Sequence, residues 1–344
     1  MKILVTGNLG YIGSLLAPTL QNSGHEVIGF DSGYFEECAL IPIKSQVQQI
    51  LKDIRNVELS DLEGIDAIIH LAGLSNDPLG ELAPGLTEEI NFAGTMRLAQ
   101  LAKEAGVKRF IYSSSQSMYG KSDTDEELDE YGSKKNPVTA YAKTKWDAEL
   151  GLTKLNSNSF LVCSFRPSTV FGVSPRLRCD IVFNNFVACA YTTQLIEIKS
   201  DGTPWRPVVH IQDVCSAFIA GINAPKELIA GRSFNVGIPN GNFTVRQLAE
   251  AAQRAVPGSK ILFTGEHAND SRTYRVSFNR ILTELKDYYL PSWDLDRGAV
   301  ELVEYFNNIG FTVCDFRGWK TTRLMQINRL SDQGKIDQDL RIRL

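Results

Sequence analysis

Excess positive charge, paired cysteines, clustered histidines and long apolar runs are all missing from this 344-residue chain. The formal net charge is -4. Nucleic-acid binding needs a basic face, so no nucleic-acid partner is expected. The six cysteines, at 38, 163, 179, 189, 215 and 314, form no C-x-x-C pair, and several sit inside apolar runs such as F-L-V-C-S-F. They read as reduced core residues of a cytoplasmic protein. With only four histidines and no His/Cys cluster at ligand spacing, no metal site is expected. No apolar stretch approaches the roughly 18 residues that span a bilayer. Met1-Lys2 runs straight into I-L-V-T, without the charged and apolar regions of a secretory leader. Neither a membrane nor export is expected, and no repeat or low-complexity segment stands out.

What is present is a 43% hydrophobic composition, enough for a sizeable core. K-I-L-V-T, E-V-I-G-F, Q-Q-I-L-K, A-I-I-H-L-A, R-F-I-Y-S-S and F-L-V-C-S-F-R read as strands. Between them, Ile12, Leu15, Leu16 and Leu20 mark one helical face, and Leu98, Leu101, Ala102 and Ala105 another. Near-continuous apolar strands separated by helices give an α/β fold, a Rossmann-type doubly wound parallel sheet. Pro18 should kink the first helix or disturb its start. After about Arg166 the pattern loosens into mixed short strands and helices. The division is therefore residues 1–166 as a domain built on this sheet and 167–344 as a smaller mixed α/β domain, with some segments returning to the main sheet. Thr244 and Gln247 form a capping-box signature, Asp213 reads as a helix N-cap, and the polar end S-D-Q-G-K-I-D-Q-D-L-R-I-R-L reads as only partly ordered.

Three stretches carry chemistry. T-G-N-L-G-Y-I-G follows the first strand and places Gly7, Gly10 and Gly13 where a helix opens. Such glycines allow backbone N–H groups close to a pyrophosphate, and the helix N-terminus favours its charge. Asp31 ends the second strand, where a carboxylate accepts from the ribose hydroxyls of NAD and repels a 2′-phosphate. Asp53, ending the third strand, reads as an adenine neighbour or a solvated acid. Y-A-K-T-K sets Tyr141 and Lys145 on one helix face, where an ammonium beside a phenol favours the phenolate. S-S-S-Q-S-M-Y-G, from Ser113 to Gly120, crowds hydroxyls at a strand end.

Taken together, these stretches with D-I-R, H-L-A-G, Asn91, R-P-S-T-V-F-G and W-R-P-V-V-H-I-Q-D resemble the extended short-chain dehydrogenase/reductase family, in its nucleotide-sugar epimerase and dehydratase branch. The resemblance implies NAD as cofactor and a nucleotide-diphosphate sugar as substrate. It makes Tyr141 the base, Lys145 the group that holds the nicotinamide ribose and lowers the Tyr141 pKa, and Ser115 the partner of the reacting oxygen. It puts Tyr11, Ile12, Ile54, Leu71, Ala72, Gly73, Ser113 and Pro167 around the cofactor. Ser75, Thr169 and Arg206 fall to the substrate, with Arg206 on the diphosphate. Arg176 and Arg178 are candidates for the sugar or phosphate pocket, with a solvated loop as the other reading. Arg272 or Arg275 would supply a second phosphate arginine.

Family dehydratases carry an Asp-Glu pair after that serine or threonine, and decarboxylases a glutamate. Here Gln116 and Ser117 stand instead, and neither is a carboxylate base. A 4-epimerase is therefore the reading that the resemblance implies, ahead of a 4-ketoreductase, a dehydratase or a non-catalytic NAD-sensing regulator. Relatives pair through two helices, so the faces of Asn91–Ala105 and Ala140–Leu152 imply a homodimer.

Overall fold

All six apolar runs join one sheet. The computed structural model describes residues 1–43, 47–75, 77–122, 126–265 and 273–343. Its strands are β1 (Lys2–Thr6), β2 (Glu26–Asp31), β3 (Gln48–Leu51), β4 (Ala67–His70), β5 (Arg109–Ser113), β6 (Leu161–Pro167) and β7 (Arg232–Val236). They lie in the order β7-β6-β5-β4-β1-β2-β3, every pair parallel. In β1, Ile3 and Val5 face one core cluster and Leu4 the other, as the two-residue period of a strand requires. Both faces are covered, which is why the strands read as unbroken apolar runs.

Helix α1 (Gly13–Asn22) buries Leu16 and Leu20 and continues through Pro18. Helix α2 (Gly94–Glu104) buries Leu98, Ala99 and Ala102. Ala105 leaves the expected stripe, because the helix ends at Glu104 and Gly106, at φ +81°, turns the chain. Helix α3 (Ala140–Leu155) buries Ala142, Thr144, Lys145, Ala148, Glu149 and Leu152.

Beyond β6, Thr169–Phe171 pairs in parallel with Trp205–His210, which pairs antiparallel with Asn242–Thr244. Helices α4 (Val182–Thr193), α5 (Ile211–Asn223), α6 (Val245–Ala255) and α7 (Leu295–Ile309) accompany these strands. Thr244 and Gln247 cap α6 reciprocally. The cap of α5 is His210. Asp213 instead accepts from the Ser292 and Trp293 amides at 3.0 and 3.2 Å, tying α5 to the loop before α7.

The end of the chain is also ordered through 343. Its Ile336 and Leu340 are buried, apolar anchors within a stretch that otherwise reads as polar. Five of the cysteines are buried and Cys314 is exposed, so the core assignment fails for that one. Among the described residues no helix is long and apolar enough to cross a membrane.

Candidate active site

The chain runs outward from β1 to β2 and β3 and then crosses to β4, so β1 and β4 flank a switch point. Ligands of open parallel sheets sit at the strand carboxyl ends there. Thr6 ends β1, and Gly7 takes φ +72°. A Cβ on Gly7 would stand 2.8 Å from the Ala72 amide nitrogen, and one on Gly13 2.2 Å from the Gly7 carbonyl. Glycine is thus required for the loop to close. Gly10 donates to Gly7 O at 3.0 Å, and the Ser14 and Leu15 amides donate to Gly10 O and Ile12 O at 3.1 Å; α1 opens without a side-chain cap, so the dipole of its first turn favours an anion.

Asp31 braces this loop. Its Oδ2 accepts from Leu9 N at 3.0 Å and its Oδ1 from Gly33 N at 2.8 Å. Burial pushes its carboxyl up, opposed by those two bonds and by the charge of Arg176. Each oxygen keeps a lone pair for a ribose hydroxyl.

The serine turn forms the other wall. Ser113 O accepts from Lys145 Nζ at 2.7 Å, and Ser114 Oγ donates to Glu149 Oε2 at 2.6 Å. Ser115 Oγ accepts from Ser117 N at 3.1 Å and lies on the cavity wall with Tyr141. Burial raises the Tyr141 phenol above its ordinary value, opposed by Ser115 and by Arg178, while the charge of Asp77 adds to the rise. Lys145 sits one helical turn further on and directs its ammonium at the Ser113 carbonyl. Burial itself depresses Lys145 to about 8. Gln116 is buried with its amide nitrogen donating to Arg166 O at 3.0 Å, so the position after Ser115 is a fixed amide.

These groups line one cavity of about 800 Å³. Of the sequence candidates, Gly7, Gly10, Tyr11, Ile12, Gly13, Asp31, Asp53, Ile54, Leu71, Ala72, Gly73, Ser75, Ser113, Ser115, Tyr141, Lys145, Pro167, Thr169, Arg178 and Arg206 all reach it. Asp53, on the cavity wall, is chelated by Arg55, with Oδ2 2.6 Å from Nη2. Tyr11 spends its hydroxyl on Gly172 O at 2.7 Å. Arg178 pairs with Asp180 at 2.8 Å and donates to Ser75 Oγ at 3.2 Å.

Two candidates lie elsewhere. Arg176 donates to Phe35 O at 2.9 Å, behind the Asp31 loop rather than on the wall. Arg275 is drawn to Glu127 at 3.0 Å and the Trp205 ring at 5.0 Å. Arg272 falls outside the described residues. Sequence reasoning passed over Glu149, one further turn along the Tyr141–Lys145 face, and Asp77, Asp180 and Arg323 on the cavity wall.

A parallel sheet with a glycine cradle at its switch point and a Ser-Tyr-Lys group facing it has a match among known proteins. The sequence model of the NAD dependent epimerase/dehydratase family covers residues 3–237. This chain belongs to that family. The UDP-glucose 4-epimerase of Mycolicibacterium smegmatis is 30% identical over 324 residues, 90% of this chain and 99% of that one. UDP-glucuronic acid decarboxylase 1 of Arabidopsis thaliana is 28% identical, over 90% and 70%. Among solved structures, MoeE5 in complex with UDP-glucose and NAD superposes with a TM-score of 0.76 at 24% identity, covering 90% of this chain and 99% of that one. The family takes NAD, and the cradle and Asp31 fit it: no Cβ blocks the pyrophosphate turn, and a carboxylate stands at the end of β2.

Proposed function

We propose that this chain is an NAD-dependent nucleotide-sugar 4-epimerase with Ser115, Tyr141 and Lys145 as catalytic residues. One observation carries the reading. Ser115 and Tyr141 share one cavity wall, and the two residues that follow Ser115 there are Gln116 and Ser117, so no carboxylate follows the serine to expel water from a neighbouring carbon.

Gly7, Gly10 and Gly13 would hold the pyrophosphate of NAD, and Asp31 its ribose. When bound, NAD supplies a reversible two-electron acceptor. Tyr141 takes the proton of the sugar hydroxyl while Ser115 holds the oxygen as it becomes a carbonyl. After the sugar turns over in the cavity, Tyr141 returns the proton to that oxygen. Lys145, a buried cation, favours the phenolate once it reaches the ribose next to Tyr141. Arg206, Arg178, Ser75 and Thr169 are the residues for the nucleotide diphosphate and sugar. Residues 1–166 chiefly serve NAD and 167–344 the substrate, with β7 completing the first sheet.

Leu150, 43% exposed on α3, supports a homodimer through α2 and α3; light scattering showing only monomer would remove that part. Five buried thiols suit a reducing cytoplasm.

A second reading, water elimination, is favoured by Asp77, whose carboxylate lines the cavity and acts on Tyr141. Thr139, the N-cap of α3, donates its hydroxyl to that carboxylate at 2.7 Å, which commits one of its oxygens there. Incubation of the enzyme and catalytic NAD with UDP- and dTDP-hexoses separates the outcomes by proton NMR of the sugar, by mass and by the near-ultraviolet absorbance of reduced nicotinamide. An epimer of unchanged mass at constant absorbance supports the proposal. A product lighter by one water supports elimination, and stoichiometric change in reduced nicotinamide supports a reductase.

A further inference from the structure

Residues 323–343 lie beyond the span matched by the family, yet they are built into the cofactor side of the cavity. Helix α8 (Arg323–Asp332) and the turn after it bury Ile327, Leu330, Ile336 and Leu340 in the core that holds Tyr34, Ile54 and Val57. Gln326 Nε2 donates to Tyr34 O at 2.8 Å, and the Tyr34 hydroxyl donates to Leu340 O. Arg329 and Lys335 both hold Glu37, at 2.8 and 2.9 Å. Arg55 Nη1 donates to Asp339 O at 3.0 Å. The loops gripped this way carry Asp31, Tyr34, Phe35, Asp53 and Ile54, all on the cavity wall.

One side chain of the segment reaches the cavity itself. Arg323 is 1% exposed and lines it. Its guanidinium lies 4.6 Å from the Phe35 ring and donates to Arg176 O at 2.8 Å and Lys320 O at 3.4 Å. Among the described residues its side-chain hydrogen bonds go to main-chain carbonyls alone. Asp180, the carboxylate beside it, is chelated by Arg178 at 2.8 and 3.1 Å. A buried cation that shares its carboxylate with a second cation is stabilised by a further anion.

We propose that Arg323 binds a phosphate of NAD and that residues 323–343 form part of the cofactor site, retaining NAD between turnovers. Burial and the charge of Arg178 pull the Arg323 pKa down to about 10, a cost that a bound phosphate would offset. The sugar nucleotide carries the same chemistry. The Phe35 contact, on the loop that starts at Asp31, favours NAD.

The test needs no sugar turnover, so it stands apart from the epimerase reading. NAD and UDP binding are measured by calorimetry on wild type, Arg323→Met and Arg323→Lys, with NAD retention after desalting. Loss of a charge-assisted bond predicts about 10–100-fold weaker NAD binding for Arg323→Met, with UDP affinity within about twofold. Arg323→Lys, which keeps charge and length, serves if the Met variant fails to fold. It should weaken NAD binding less but measurably, because a lysine lacks the fork geometry. Unchanged NAD affinity in whichever variant folds overturns the proposal. Weakened UDP binding with NAD intact also overturns it and assigns Arg323 to the sugar nucleotide.

Discussion

Arg166 and Glu149 meet at 2.5 Å with side chains only 2% and 3% exposed. Ser114 and Ser233 complete the carboxylate at 2.6 and 2.7 Å, and Arg166 Nη1 donates to the Tyr119 hydroxyl at 3.0 Å. Glu149 is on the helix of Tyr141 and Lys145, and Arg166 is on the strand beside the serine turn. The pair therefore fixes the distance between the two halves of the catalytic group.

Removing one member leaves a buried charge without its partner. Glu149→Ala should lower unfolding stability by about 3–5 kcal/mol, read from urea titration, and lower turnover with it. A loss below about 1 kcal/mol would mean that Arg166 finds another partner, and the bracing role would fall.

Lys145 is costly to the fold. Its folded pKa, depressed to about 8 by burial, lies below the unfolded value of about 10.4. The unfolded chain thus binds more protons between those two values, and stability from this group rises with pH there. The destabilisation is fully present below about pH 8. Lys145→Met should raise the melting temperature at pH 7 by about 2 °C or more, with the gain shrinking toward pH 10 while turnover is lost. A gain that is flat across this range would contradict burial as the cause.

Tyr141→Phe keeps the cavity wall and removes the proton acceptor. Turnover should fall by about 10²–10⁴-fold while calorimetry gives unchanged NAD affinity. Near-normal turnover would exclude Tyr141 as the base.

Asp31→Ala removes the group placed for the ribose and also two bonds to the glycine loop. The preference for NAD over NADP should drop about tenfold or more, since a repelled 2′-phosphate is then tolerated. An unchanged preference with weaker binding of both would make Asp31 a brace alone.

The strands, the glycine loop and the Ser-Tyr-Lys group were legible because each is a local pattern: an apolar run, a turn needing glycine, a four-residue helix spacing. What was missed depends on partners far along the chain. Arg275 was a phosphate candidate until Glu127 and Trp205 took it, and Arg176 until the Phe35 carbonyl did. Asp213 read as an N-cap, but it lies within the first turn of α5, which His210 caps, and it serves Ser292 and Trp293. The end of the chain read as loose because its polar residues outnumber Ile336 and Leu340, and only the fold reveals the loops those two pack against. Glu149 had a usable signal, four residues after Lys145.

The central claim is that hydrogen leaves and returns at one carbon. Proton NMR of a nucleotide hexose incubated in D2O with enzyme and catalytic NAD tests it directly. The account predicts an epimer at C4 whose carbon-bound hydrogens remain protium throughout. Deuterium at the carbon next to C4, or a product that has lost water, would contradict it and return the inference from Gln116 and Ser117 to elimination.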